Sequence, residues 1–491
     1  MNRPPSLRRN YIFNVSLSVL NIAYPVATLT YVSRIVGPEL LGRYYIAASL
    51  AGYFLIIAGL GIPMYGAREV ARRRNDPEGL KRLLSELFVL NGVASAACYF
   101  LYAAIVFAVP QLRRDFPLFL LVGCSIPVNA LSVDYLFTGL EDFRNIAIRN
   151  FIVRSAGLSL LLVVVRGPSD FTTFACLGVA VVALGNGLGF IAALRRVGIR
   201  FRGADPRAHF RPLLTLTGML VVTALYTNLD SVTLGLIAGE REVGIYNSGL
   251  RISKFLVVMV TSIGVVLIPR LTEYLAQGRD AEFSGLARKS LDLICFLGLP
   301  AMVLLWFGSD AIASLAFGSQ FSGASGIMRL TAPLIIVIGF TNCLGMQMLF
   351  PKGEEKLLFA SIAVAAAVNV GLNLLLIPAL GAKGAAIATL AAETAVLIVQ
   401  AAMAWKRHAL GNMIDFRTAL YAGASLLACL PFLAPWPTVV PVALRLALEC
   451  AVGGALYLGC LAMCKDPLAR EFLGRMRRLG GFSLQAPRSS R

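Results

Sequence analysis

Four cationic side chains, Arg154, Arg251, Lys254 and Arg329, fall within or at the edge of stretches otherwise apolar enough to cross a bilayer. A charge in the hydrocarbon costs at least ~2.5–3.5 kcal/mol on insertion scales, so it is kept only where a partner or a function offsets the cost. Basic charge inside such a chain points to an anionic passenger. Arg251 and Lys254 make the case most sharply. The apolar run from Phe255 to Ile268 holds 14 residues, short of the about 20 that a span needs. The helix must therefore reach back to about Ile245, which carries both cations into the membrane, roughly 9 and 14 Å below the outer surface. Positions i and i+3 share a helix face. The competing reading is a structural ion pair, with Asp230 on the seventh span or Glu393 on the twelfth as counter-charge.

Arg154 lies about 12 Å into the fifth span, on the side where Asp134 nears the end of the fourth. Contact with a passenger and a pair with Asp134 are both open. Arg329 stands at the outer edge of the tenth span, where a long side chain snorkels to water. Asp230, Glu393 and Asp134 are the candidates for ion coupling, because acids inside spans mark ion relays. Glu449 in the fourteenth span has no assigned role. Pro25 frees a carbonyl in the first span and bends it, either as a hinge or as a plain bend.

The elements that hold these groups are membrane helices. Of 491 residues, 57% are hydrophobic and 14% charged, against about 25% charged in a soluble protein. Fourteen apolar segments are expected to span, at 11–36, 43–63, 84–109, 117–139, 146–165, 171–194, 213–238, 245–268, 289–307, 328–350, 357–377, 384–405, 418–434 and 440–463. No sizeable soluble domain fits between them. The first segment follows a basic N-terminus without a small-residue cleavage site, so it reads as a retained span.

Of the 45 Lys and Arg, 33 lie on one side of these spans, 8 on the other, and 4 are the residues above. This bias puts both termini in the cytoplasm. The net charge of +19 is thus a topology signal, and nucleic acid is not an expected partner. The nine cysteines fall in apolar stretches and read as small packing residues. His209 and His408 lie in basic loops, away from any histidine-centred site. No metal or cofactor is expected.

The chain also repeats. Gly37-Pro-Glu-Leu-Leu-Gly42-Arg-Tyr44 returns as Gly239-Glu-Arg-Glu-Val-Gly244-Ile-Tyr246, 202 residues later. Ile62-Pro63 is echoed by Ile268-Pro269, and Asn129…Leu136-Phe137…Glu141 by Asn342…Leu349-Phe350…Glu354. Two six-helix lobes, 1–200 and 201–410, are expected, followed by an extra helix pair and basic tail, 411–491. Parallel repeats of this kind belong to transporters with a site between the halves. Ser49 and Gly52 stand where the second half has Arg251 and Lys254, so the cations are not part of the shared scaffold.

These residues carry a family resemblance. Ser33-Arg-Ile-Val-Gly37-Pro-Glu-Leu-Leu-Gly42-Arg-Tyr-Tyr with Gly61-Ile-Pro-Met-Tyr65-Gly-Ala-Arg-Glu69 is similar to the signature of the polysaccharide transporter family. These are the bacterial O-antigen (Wzx-type) flippases of the multidrug/oligosaccharidyl-lipid/polysaccharide superfamily. Asp230…Gly235…Gly244-Ile-Tyr246…Arg251…Pro269 resembles that family too, and the likeness covers roughly 10–405. It implies two six-helix bundles around a cavity that opens alternately to each side of the inner membrane. It also implies an undecaprenyl-pyrophosphate-linked oligosaccharide as passenger and a proton or sodium gradient as driving force. Membrane lipids, a polysaccharide polymerase and chain-length machinery are the implied partners. A pyrophosphate diester carries about two negative charges, which an Arg fork and a Lys point charge can match.

Three other readings compete. A lipid II exporter shares the pyrophosphate handle. A multidrug exporter of the superfamily would favour an acidic cavity, against the basic pair. A polymerase or ligase would be expected to carry a catalytic external loop, yet the longest, Gly308 to Ile327, has one acid, Asp310, and no Lys, Arg or His.

Overall fold

The computed structural model describes residues 24–201, 205–408, 416–437 and 439–479, and among them every regular element is helical. Twelve helices are long and apolar enough to cross a membrane. Residues 24–36 and Arg207–Ala238 fill the first and seventh positions. The helices at these fourteen positions are α1 (24–36), α2 (Pro38–Gly59), α3 (Pro77–Ala108), α4 (Phe116–Gly139), α5 (Phe143–Val164), α6 (Phe171–Arg196) and α7 (Arg207–Ala238). They continue as α8 (Glu240–Ala276), α9 (Asp280–Phe307), α10 (Gly323–Leu349), α11 (Glu355–Leu380), α12 (Ala382–His408), α13 (Phe416–Leu433) and α14 (Val442–Met463). Helices are the form expected, since each satisfies its own backbone where lipid offers no partner. The chain is a multi-pass membrane protein.

The helices overrun the apolar segments on the basic-loop side. α3 starts at Pro77 and α8 runs to Ala276, where the apolar runs alone suggest 84 and 268. Asp76 caps α3 by accepting from the Gly79 amide at 2.9 Å, so polar turns extend the helix beyond its membrane segment. Pro25 is described near the head of α1, but the carbonyl it would free lies outside the described residues.

The repeat has structural counterparts. Both α4 and α10 leave the α-helical pattern at the matched asparagines: Asn129 opens a short 3₁₀ turn, and a π-helical segment, Cys343–Leu349, follows Asn342. Gly37 and Gly239 both stand just before their helices at φ 83° and 89°, a left-handed region natural for glycine. One turn on, the starts of α2 and α8 touch reciprocally. A Cβ on Gly42 would lie 1.7 Å from the Glu240 carbonyl oxygen, and one on Gly244 would lie 1.9 Å from that of Pro38. Pro38 and Glu240 are themselves repeat-related, so the contact pairs each segment with its own copy.

Two compact units result. The first runs through Arg251 and takes in Ala316–Ala324 and Ala365–Thr389. Its core joins Ile62, Tyr65, Leu83, Leu87, Phe137 and Leu213. The second takes in Ile252–Leu315, Ser325–Val364 and the chain from Leu390 onward. There α13 and α14 dock on α9 through Phe296, Tyr421 and Tyr457, and the Tyr457 hydroxyl donates to the Phe296 carbonyl at 2.8 Å. Glu449, 2% exposed, accepts from Arg445 Nε at 2.8 Å, so this acid serves an ion pair within α14.

Forcing a methyl group into the α2–α8 contact costs about 1–3 kcal/mol. Gly42→Ala and Gly244→Ala should each lower the unfolding temperature of the purified protein. Gly52→Ala, which has open space around it, should leave the temperature unchanged or raise it. Equal melting of all three variants would refute the contact.

Candidate functional site

Asp230, on the last third of α7, is 5% exposed and has a complete set of neutral donors. Its Oδ1 accepts from Asn369 Nδ2 at 3.0 Å and Asn373 Nδ2 at 2.6 Å, both on α11. Its Oδ2 accepts from the Tyr246 hydroxyl at 2.6 Å and the Thr389 hydroxyl at 2.7 Å. The helix pitch explains the set: Asn369 and Asn373 are one turn apart on one face of α11, and Asn373 also donates to Asn369 Oδ1 at 3.0 Å. The Ala385 carbonyl, 2.9 Å from the Thr389 hydroxyl, competes with Asp230 for that hydroxyl's single proton. Both carboxylate oxygens are thus within hydrogen-bond reach of neutral donors.

One atom is out of place in this arrangement. Asn373 Oδ1 is buried and has no partner among the described residues. Turning the amide over would set that oxygen against Asp230 Oδ1 and Asn369 Oδ1, an arrangement that only a cation or a proton among them would relieve. One carboxylate, two amide oxygens and a hydroxyl are hard oxygen ligands, and a single negative charge suits a monovalent ion or a proton. No group of three or more His, Cys, Asp or Glu able to hold a metal occurs among the described residues.

Arg251 belongs to the same unit as Asp230 but does not pair with it. Its guanidinium lies 5.2 Å from the centre of the Tyr45 ring on α2, and no ion pair reaches it among the described residues. A cation over an aromatic face gains about 0.5–2 kcal/mol, and the contact leaves the guanidinium donors available. Arg154 on α5 makes the corresponding contact with Tyr24 of α1, at 5.6 Å. Of the two counter-charges proposed for Arg251, Asp230 is thus taken by its own donors. Lys254 is exposed on α8 and Glu393 is half-buried on α12, both in the second unit.

Known proteins can now be set beside this geometry. The family model described as polysaccharide biosynthesis protein matches residues 7–275. The chain belongs to that family. A second model, of lipid II flippases, matches residues 210–442. Among curated proteins, a putative O-antigen transporter of Escherichia coli K12 is 22% identical, over 80% of this chain and 95% of its own. Among solved structures, the lipid II flippase MurJ in an inward closed conformation superposes with a TM-score of 0.73 at 15% identity, covering 93% of this chain and 99% of that one. An inward-facing multidrug transporter of the superfamily gives 0.63 at 16% identity, covering 82% and 98%. The fold is that of the multidrug/oligosaccharidyl-lipid/polysaccharide transporters.

The remaining sequence candidates fall elsewhere. Arg329 pairs with Asp310 at the opposite end of the helices from the basic loops. Asp134 accepts from Arg149 Nη2, a residue at the basic-loop end of the expected fifth span. α5 begins at Phe143, three residues before the apolar run. His209 also differs from expectation. It lies in the first turn of α7, 5% exposed, with Nδ1 2.6 Å from the Tyr65 hydroxyl and Nε2 2.8 Å from Glu86 Oε2. It ties α3 and the short helix Ile62–Arg72 to α7. His408 lies outside the described side chains.

Sequence reasoning missed Asn369, Asn373 and Thr389 because they carry no charge, and met Tyr246 only as a repeat and motif residue. The signal available was Asn369-x-x-x-Asn373 inside an apolar run. If these groups serve the Asp230 charge, Asn373→Leu should destabilise by about 1.5–3 kcal/mol. The double variant Asp230→Asn with Asn373→Leu should then recover part of the loss in denaturant unfolding. Additive effects would show that no charge is being stabilised.

Proposed function

We propose that this protein is a flippase that carries polyprenyl-pyrophosphate-linked oligosaccharide from the cytoplasmic to the outer leaflet of a bacterial inner membrane. The observation that carries the reading is Arg251: a guanidinium in a membrane helix that rests on Tyr45, while Asp230 is satisfied by other donors. A phosphate arriving at Arg251 gains a charge-assisted, bidentate partner without first breaking an ion pair. Lys254, one turn further along α8, supplies the second charge, and Arg154 is a second contact for the same headgroup. Arg329 is the weakest of the candidates, since its guanidinium is engaged by Asp310.

The lobes 1–200 and 201–410 rock against each other in this scheme, with the basic loops cytoplasmic and Pro25 a hinge in the first helix. Asp230 is the coupling acid, with Glu393 and Asp134 as further candidates. Taking up a sodium ion or a proton cancels its charge, and the Asn373 amide turns over to ligate the ion. A ligand shifts such an equilibrium only by its differential affinity for the two states. The ion must therefore leave from the opposite state, where the donor set is broken. No catalytic step is assigned to any residue, and the protein acts as a transporter. The polymerase and chain-length machinery that would receive its cargo are the expected partners.

Lipid II remains a second reading, supported by the match of its flippase family model to residues 210–442. Both passengers present the same pyrophosphate, so they are separated by the sugar they carry.

Arg251→Ala with Lys254→Ala should abolish surface polysaccharide in a strain that depends on this protein, while the variant still inserts. Normal surface polysaccharide would remove these residues from the mechanism. In proteoliposomes, Asp230→Asn should cut gradient-driven transport at least about tenfold, in line with the 1.4 kcal/mol that a tenfold change represents. Comparing a sodium gradient with a pH gradient identifies the ion. Unchanged gradient dependence would rule Asp230 out as the coupling group.

A further inference from the structure

Two adjoining clefts of about 450 Å³ each lie where the basic-loop ends of α5 and α6 meet, and they share Asn145 and Leu188. Arg149 lines the first. It is 9% exposed, and only its Nη2 is engaged, by Asp134. Its Nε and Nη1 are buried without a hydrogen-bond partner among the described residues. Two orphaned donors on one guanidinium are costly, about 1–3 kcal/mol for each unsatisfied group, so the arrangement calls for an acceptor. The fold has made room for the guanidinium itself. A Cβ at Gly189 on α6 would lie 2.4 Å from Arg149 Nη1, so the guanidinium lies across a surface that only glycine leaves open.

The walls show which acceptor fits. Arg144 and Arg195 are exposed at the mouth and make no ion pair among the described residues, whereas Arg196 is paired with Asp142. Below them Ile148, Ile152, Leu188 and Ile191 are 41%, 59%, 46% and 46% exposed on two membrane-spanning helices, so they face acyl chains. A basic floor and rim above an apolar wall match a headgroup joined to fatty chains. Free inorganic phosphate would use only the upper half.

We propose that this cleft binds the phosphodiester headgroup of an anionic phospholipid of the leaflet on the basic-loop side. Arg149 Nε and Nη1 hold the phosphate oxygens, Arg144 and Arg195 complete its charge, and the isoleucines and leucine take the first acyl carbons. The lipid pins α5 to α6 and supplies the acceptor that the protein lacks. A polyprenyl phosphate has the same headgroup chemistry, but the wall faces bulk lipid, where phospholipid is in large excess.

The test is native mass spectrometry of the full-length protein in detergent, with added phosphatidylglycerol, phosphatidylcholine or undecaprenyl phosphate. Wild type should retain phosphatidylglycerol over phosphatidylcholine. Arg144→Gln with Arg195→Gln should reduce that retention at least about fivefold, as expected for loss of basic residues at a lipid surface. Arg149→Lys keeps a charge opposite Asp134 but removes the fork, and should also reduce it. Arg113→Gln with Arg114→Gln, on the opposite side, should not. Equal retention of the two phospholipids, undiminished binding by Arg144→Gln with Arg195→Gln, or preference for undecaprenyl phosphate would each overturn the proposal. Retention by Arg251→Ala with Lys254→Ala should match wild type, which keeps this result separate from the transport reading.

Discussion

A charge placed in hydrocarbon must be answered by something, and the functional groups of this protein are arranged around that constraint. Asp230 is answered by four neutral donors from three helices. Arg251 and Arg154 are answered by aromatic faces. Arg149 is answered only in part. The different answers sort the charges by role. Arg251 on the Tyr45 ring keeps its donors, because the aromatic face offers attraction without accepting a hydrogen bond in the guanidinium plane.

The repeat gives these charges a frame that is symmetric in backbone and asymmetric in chemistry. Gly42 and Gly244 let the starts of α2 and α8 approach until each backbone touches the other's first turn. Two to three turns beyond, Ser49 and Gly52 stand at the positions that correspond to Arg251 and Lys254 in the second copy. The repeat thus accounts for the shared backbone contact, while the two cations are confined to one copy. Membership of the polysaccharide biosynthesis protein family and the superfamily fold agree with this frame.

Much of this was legible in the sequence because lipid penalises errors so heavily. Fourteen apolar segments, the repeat and Arg251 all follow from where charge and glycine are allowed. The cluster around Asp230 was not legible. Asn369, Asn373, Thr389 and Tyr246 are neutral, tolerable at many positions in a span, and significant only because four helical segments bring them to one carboxylate. His209 was misplaced for a related reason. Helices continue past the apolar run wherever capping and packing sustain them, so a residue assigned to a loop by hydropathy ends in a buried first turn. The glycine that accommodates Arg149 sits on another helix, forty residues away in sequence, and nothing local announces it.

The most direct test is a structure of the protein with a polyprenyl-pyrophosphate-linked oligosaccharide bound. The account predicts a phosphate oxygen within about 2.7–2.9 Å of the Arg251 guanidinium, on the face not covered by Tyr45. A bound lipid whose phosphates lie elsewhere, with Arg251 touching only Tyr45, would contradict it.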